Sequence, residues 1–253
     1  MALIFSAPLT STITDFDSAQ ANGTIIDPTG LASPIPGWLE INTAPDGTSA
    51  LMSKINPSDA TTYDGIRSEI DYVPEAAAER WYVWEVWHED GFNSTDIITF
   101  MQVHDSPDGG EDPVKYPNFE YQTQGGYVYC TVPLDCPDET SANSRLPKQA
   151  RTPLLTGQWV KCAVHANWAT TTAGFLEAYY NGRIVAKEWG RASGYSDAVG
   201  PYFKLGLYDI AHSLTASARA WYRNAKVYST GHSAFGVLGV NPKPARLTQL
   251  EMV

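Results

Sequence analysis

An all-β fold, a β-sandwich or jelly roll with one curved sheet forming a groove, is what these 253 residues predict. Three observations predict it. Many short segments alternate apolar and polar residues with a period of two. Gly, Pro, Asn and Asp punctuate them at short intervals. The 8 Trp, 14 Tyr and 8 Phe favour strands, and such rings also line carbohydrate grooves.

Residues 1–60 read as short strands and turns, with Ala32–Asn42 the clearest strand start. Tyr63–Val73, the aromatic Glu79–Val86 and Ile97–His104 follow as strands. Asp105–Pro117 is a loop. Phe119–Thr131 holds two strands around a Gly125-Gly126 turn. Pro133–Pro153 is polar and proline-bearing and reads as a long excursion over one sheet face. Gln158–Asn167 and Gly174–Tyr180 alternate cleanly, and Asn181-Gly182 supplies a type I′ hairpin turn into Ile184–Glu188. Tyr202–Tyr208 and Ala218–Tyr228 complete the set. Only Ala76–Arg80 offers a helical turn or two. No repeat or linker interrupts the pattern, so 1–253 reads as one domain with 232–253 as a C-terminal extension.

The formal charge of −11 and pI near 4.8 disfavour nucleic acid, which needs a basic footprint. An anionic substrate would need a local basic cleft. No stretch approaches the roughly 18 apolar residues of a membrane span. The N-terminus lacks a basic leader, so no signal peptide is visible. An extracellular or virion-associated setting, as for a phage protein released by lysis, would suit a polymer-cleaving chain. Cys130, Cys136 and Cys162 are an odd set; the first two flank a short segment that a bridge would close.

Three strands carry polar residues at alternate positions. In Ile66–Ile70, Arg67 and Glu69 share a face; in Phe100–Asp105, Gln102 and His104 do; in Tyr202–Asp209, Lys204, Gly206 and Tyr208 do. Such a set suits β-elimination at a uronic acid. Arg67 neutralises the carboxylate and Gln102 steadies the charge that develops on it. His104 or Tyr208 removes the C5 proton, and the other protonates the departing oxygen. Lys204 would lower the pKa of Tyr208, and Glu69 would orient Arg67. His88 and His165 are the further candidates for a place along the substrate. No zinc-ligand spacing occurs. The reaction needs no cofactor, and calcium, if bound by the acidic Asp108–Asp112 segment, would be structural.

The segments Arg67–Ile70 (RSEI) and Gln102–Asp105 (QVHD), and the series from Trp159 through Gly174–Val185 to Tyr202–Asp209, resemble the polysaccharide lyases of the heparin lyase I and glucuronan lyase type. The likeness is clearest over residues 63–228. It implies a jelly roll, an anionic polysaccharide partner, carboxylate neutralisation by Arg67, and His104 and Tyr208 as the proton-transfer pair beside Lys204. The lack of broad basic surface favours an unsulfated polyuronate, glucuronan or alginate. Two other readings stand beside it. One is a carbohydrate-binding or virion jelly roll without turnover. The other is a two-carboxylate hydrolase drawing on Glu69, Glu85 or Glu120.

Overall fold

A computed structural model describes residues 2–13, 16–28, 30–63, 65–92, 95–105, 117–135, 148–212, 214–230 and 234–239. Among the described residues sixteen strands form two sheets, and every ladder between named strands is antiparallel. The protein is a two-sheet β-sandwich of the jelly-roll type.

Sheet I runs β14 (Arg183–Trp189), β13 (Phe175–Tyr180), β12 (Trp159–Asn167), β7 (Glu79–His88), β16 (Ala218–Tyr228), β5 (Ser49–Ile55) and β4 (Leu39–Thr43). Strand β1 (Leu3–Ala7) pairs with the second half of β16. Sheet II runs β11 (Lys148–Pro153), β10 (Tyr127–Val132), β9 (Phe119–Gln124), β8 (Ile98–His104), β15 (Tyr202–Asp209), β6 (Ile66–Tyr72), β2 (Phe16–Ala21) and β3 (Thr24–Ile26).

Alternation decides the layers, because successive side chains of a strand point to opposite faces. Tyr82, Trp84 and Val86 of β7 meet Phe203, Leu205 and Leu207 of β15 in one core that both sheets share. The Phe203 ring lies 5.3 Å from Tyr82 and 5.8 Å from Trp84. With that parity fixed, Lys204 and Tyr208 take the outer face of sheet II.

Three expectations are revised. Ala76–Ala78 is non-helical and leads straight into β7, because the Glu79–His88 alternation continues across the aromatic run. The end of the expected excursion is strand β11, paired residue for residue with β10. Cys130 is a free thiol pointing into the core, where burial pushes its pKa up, so no bridge closes the segment after it. Asn181-Gly182 forms the predicted hairpin turn, with φ of 49° and 70°. Asn22-Gly23, with φ of 46° and 73°, does the same between β2 and β3. Its Asn-Gly signal stood in the sequence and marks a hairpin the reading above passed over. A short helix α1 (Ala234–Leu238) lies in the tail and packs Val237 and Leu238 against Trp81, Val83 and Tyr179 on the outer face of sheet I.

Candidate active site

Strands β8, β15, β6 and β2 are consecutive neighbours in sheet II, so residues of like parity come together across them. The register sets Lys204 opposite Gln102 on one side and Asp71 on the other, and Tyr208 opposite Arg67. Tyr202 stands opposite His104. Arg67, Glu69, Gln102, His104, Lys204 and Tyr208 thus share one sheet face.

Glu69 is the hub. It is fully buried, and its Oε1 accepts a 2.8 Å hydrogen bond from Gln102 Nε2. Its Oε2 lies 3.2 Å from Lys204 Nζ and 3.5 Å from an Arg67 guanidinium nitrogen. One carboxylate therefore ties together cations and an amide from three adjacent strands. A buried charge of this kind is stable only when it is paired this fully.

Lys204 is 3% exposed and also approaches Asp71 Oδ1 at 3.8 Å. Burial works against its charge, but Asp71 and Glu69 outweigh it and raise its pKa. Asp71 in turn accepts hydrogen bonds from Gln20 Nε2 at 2.6 Å and Ser18 Oγ at 2.8 Å. The ammonium is held by these two carboxylates, with the Tyr202 ring centroid 5.9 Å away. These contacts make Lys204 an anchor for the Glu69–Asp71 pair.

The Arg67 guanidinium lies over the Tyr208 ring, 4.1 Å from its centroid, and 5.6 Å from the ring of Tyr63. His104 stacks on Tyr202 with centroids 5.7 Å apart, and its Nδ1 lies 2.6 Å from the carbonyl oxygen of Asp105. A carbonyl only accepts, so Nδ1 carries a proton; in the neutral form of the ring the lone pair is then on Nε2.

Gly206 makes the close spacing possible. Its φ is +141°, and a Cβ there would lie 2.1 Å from the Ser68 carbonyl oxygen and 2.5 Å from Glu69 Cα. Gly206→Ala is expected to destabilise the fold by about 3 kcal/mol or more, since both contacts are rigid backbone of β6. Urea unfolding of that variant checks it; a midpoint equal to wild type would contradict it.

On the next strand, Glu120 pairs in register with Gln102. Its carboxyl accepts from Gln122 and, at 3.4 Å, from Thr99 Oγ1. Burial pushes its pKa up to about 7, with the Glu69 charge adding to the rise.

Two sequence candidates lie elsewhere. His88 shares its parity with Val86 and Trp84, and in β7 that is the core parity. It is fully buried between the sheets against Phe92 and Phe100. His165 shares its parity with Lys161 and Ala163, which is the outer parity of sheet I. There it stacks on Trp81 at 4.1 Å, with Nε2 3.0 Å from Glu79 and Nδ1 3.5 Å from Glu177. The His165 contact, with Lys187 and Tyr179 assisting, holds the Glu177 carboxyl well below its usual range. Glu85 is also on sheet I, bound to Arg223 at 2.6 Å. A cavity of about 180 Å³ lined by Glu85, Lys161, Lys226 and Val237 belongs to that same sheet, not to the site.

Tyr202, Asp71, Gln20 and Tyr63 were missed. Period two alone groups Tyr202 with Lys204, and Asp71 with Glu69, so that signal was present. Gln20 was not legible, because the pairing of β2 with β6 is a long-range event. Among the described residues no group of three or more His, Cys, Asp or Glu is placed to hold a metal. The Asp108–Asp112 segment lies outside the described residues. No helix among them is long and apolar enough to cross a membrane.

The chain matches the family model described as "Polysaccharide lyase" over residues 14–226. No curated protein matches it by sequence. Among solved structures it is similar to an endo-β-1,4-glucuronan lyase from the fungus Trichoderma reesei. That pair has a TM-score of 0.71 at 17% identity, covering 96% of this chain and 100% of the other. It is also similar to a family 7 alginate lyase solved with product, at a TM-score of 0.60 and 16% identity, covering 84% and 93%. An alginate lyase from Pseudomonas aeruginosa follows at 0.53 and 15%, covering 85% and 98%.

Proposed function

The chain belongs to the polysaccharide lyase family, and on that premise we propose that it cleaves an unsulfated uronate polymer of the glucuronan or alginate type by β-elimination. The observation that carries this reading is the Glu69 hub, which aims Arg67 and Gln102 from one carboxylate on the sheet face that also bears His104 and Tyr208. The neighbours' substrates, glucuronan and alginate, are both anionic polysaccharides, which supports the choice of polymer.

In this mechanism the Arg67 guanidinium and the Gln102 amide bind the C6 carboxylate and stabilise the charge that moves onto it as C5 loses its proton. His104 Nε2 takes that proton. The electron pair forms the C4–C5 double bond, the C4–O bond breaks, and the Tyr208 hydroxyl protonates the leaving oxygen. His104 and Tyr208 then recover their starting states through solvent. Tyr202 holds the imidazole by stacking, and Lys204 and Asp71 hold Glu69. No cofactor takes part in these steps. The same reading puts the enzyme's work outside the cell or at a virion surface, where such polymers are met.

The test is ultraviolet absorbance of the conjugated C4–C5 product with glucuronan, alginate, hyaluronan, heparin and pectate. A rise with glucuronan or alginate and none with heparin is expected. New reducing ends without the ultraviolet band would mean hydrolysis and overturn the mechanism.

A further inference from the structure

Tyr63 is the most exposed large apolar side chain among the described residues, at 77%. It also sits in the left-handed backbone region, with φ of 56°. A bulky residue rarely adopts that conformation, and it is retained at a cost in strain. Two backbone hydrogen bonds between Thr62 and Gly65, of 2.9 and 3.3 Å, close the turn that holds it. Gly65 itself packs against the edge of Tyr208, where a Cβ would come within 2.2 Å of the ring. The turn is thus seated on the proposed proton donor. Among the described residues the Tyr63 ring belongs to no core cluster, and its near contact is the Arg67 guanidinium, 5.6 Å from its centroid.

From this we propose that Tyr63 is a substrate-binding platform, stacking its ring on the apolar face of the pyranose whose carboxylate Arg67 holds. The proposal rests on the lyase reading for its ligand. Its geometry follows from the chemistry of a uronate: the carboxylate is attached directly to the ring carbon C5. A sugar paired to Arg67 therefore brings its ring within a few bond lengths of the guanidinium, the same neighbourhood that Tyr63 borders. The C–H face of a pyranose packs well on an aromatic ring, and a tyrosine, with only two side-chain torsions to fix, loses little conformational freedom on binding. Backbone strain kept for an exposed ring is accounted for if the ring's position matters to a ligand.

The strain supplies a test that a structural role would fail. Tyr63→Gly removes the ring and relieves the left-handed conformation, so the fold should be as stable as wild type or more so. Tyr63→Trp keeps a platform. The expected result on the cleaved polymer is a KM raised about tenfold in Tyr63→Gly with kcat within about threefold, and recovery in Tyr63→Trp. Its melting temperature should equal or exceed that of wild type. An unchanged KM overturns the platform, and so does a melting temperature that falls, which would make the ring a structural element. Retardation in gels cast with glucuronan or alginate separates this proposal from the one it rests on. If no polymer is cleaved but retardation is lost in Tyr63→Gly and kept in Tyr63→Trp, the platform stands and the lyase mechanism fails. If wild type is neither active on any polymer nor retarded by one, both fall.

Discussion

Tyr208→Phe is expected to lower kcat by about 10²- to 10⁴-fold with little change in KM or stability. The exchange deletes one oxygen and keeps the ring. The ring keeps two contacts: the Arg67 guanidinium lies 4.1 Å from its centroid, and Gly65 packs against its edge. Phenylalanine preserves the packing and most of the cation–π attraction. Under the proposed mechanism it loses the proton for the leaving oxygen, so the C4–O bond would have to break toward an unprotonated alkoxide. Initial rates of unsaturated product, together with thermal melting of both proteins, measure the effect. A variant that keeps more than about a tenth of wild-type kcat would remove Tyr208 from the proton transfer. Its neighbour across the register, Arg67, would then be the part of the site to re-examine first.

Parity made most of the site legible in the sequence. A strand of period two gives each residue one of two faces, and one apolar set per strand tells which is the core. For β15 the Phe203, Leu205 and Leu207 set is unambiguous, and Lys204 and Tyr208 follow. The same rule placed His88 and Trp84 together correctly. It did not say that their shared face is the interior, because a histidine ending a run of Trp and Val reads as easily as a groove residue. Only the pairing of β7 between β12 and β16 decides that, and strand order is set by contacts far apart in sequence. Lys204 shows the same limit. Its spacing from Tyr208 could be read from one strand, but the Asp71 it stands opposite could be read only from the register. The partner strand, invisible in any one segment, chose its electrostatic neighbours. Where the family resemblance and the parity argument covered the same residues they agreed on a common face. Where the resemblance was silent, as for Gln20 on β2, the site lost a member until the sheet was assembled.

Acid lability from His88 is the largest stability effect expected. The ring is fully buried, and neither nitrogen has a hydrogen-bond partner among the described residues. Its neighbours are the rings of Phe92 and Phe100, with centroids 4.9 and 4.8 Å away. Burial alone pushes its pKa down from 6.5 to about 3. The sign follows from proton uptake. Above pH 6.5 the ring is neutral in both folded and unfolded chains and adds no pH dependence. As pH falls from 6.5 toward 3 the unfolded chain binds a proton that the folded one refuses, and stability is lost. Over that window the loss is on the order of 5 kcal/mol, comparable to the whole stability of a small domain. His88→Leu fills a similar volume without a titrating group. Urea unfolding between pH 7 and pH 4, roughly the span over which the slope develops, should therefore show a shallower decline for the variant. Its lyase activity at neutral pH should stay at the wild-type level, because the side chain lies between the sheets and not on the face that bears His104. Equal pH slopes in the two proteins would mean that the ring takes up its proton in the folded state, through a partner or a route to solvent that its present packing against Phe92 and Phe100 denies it.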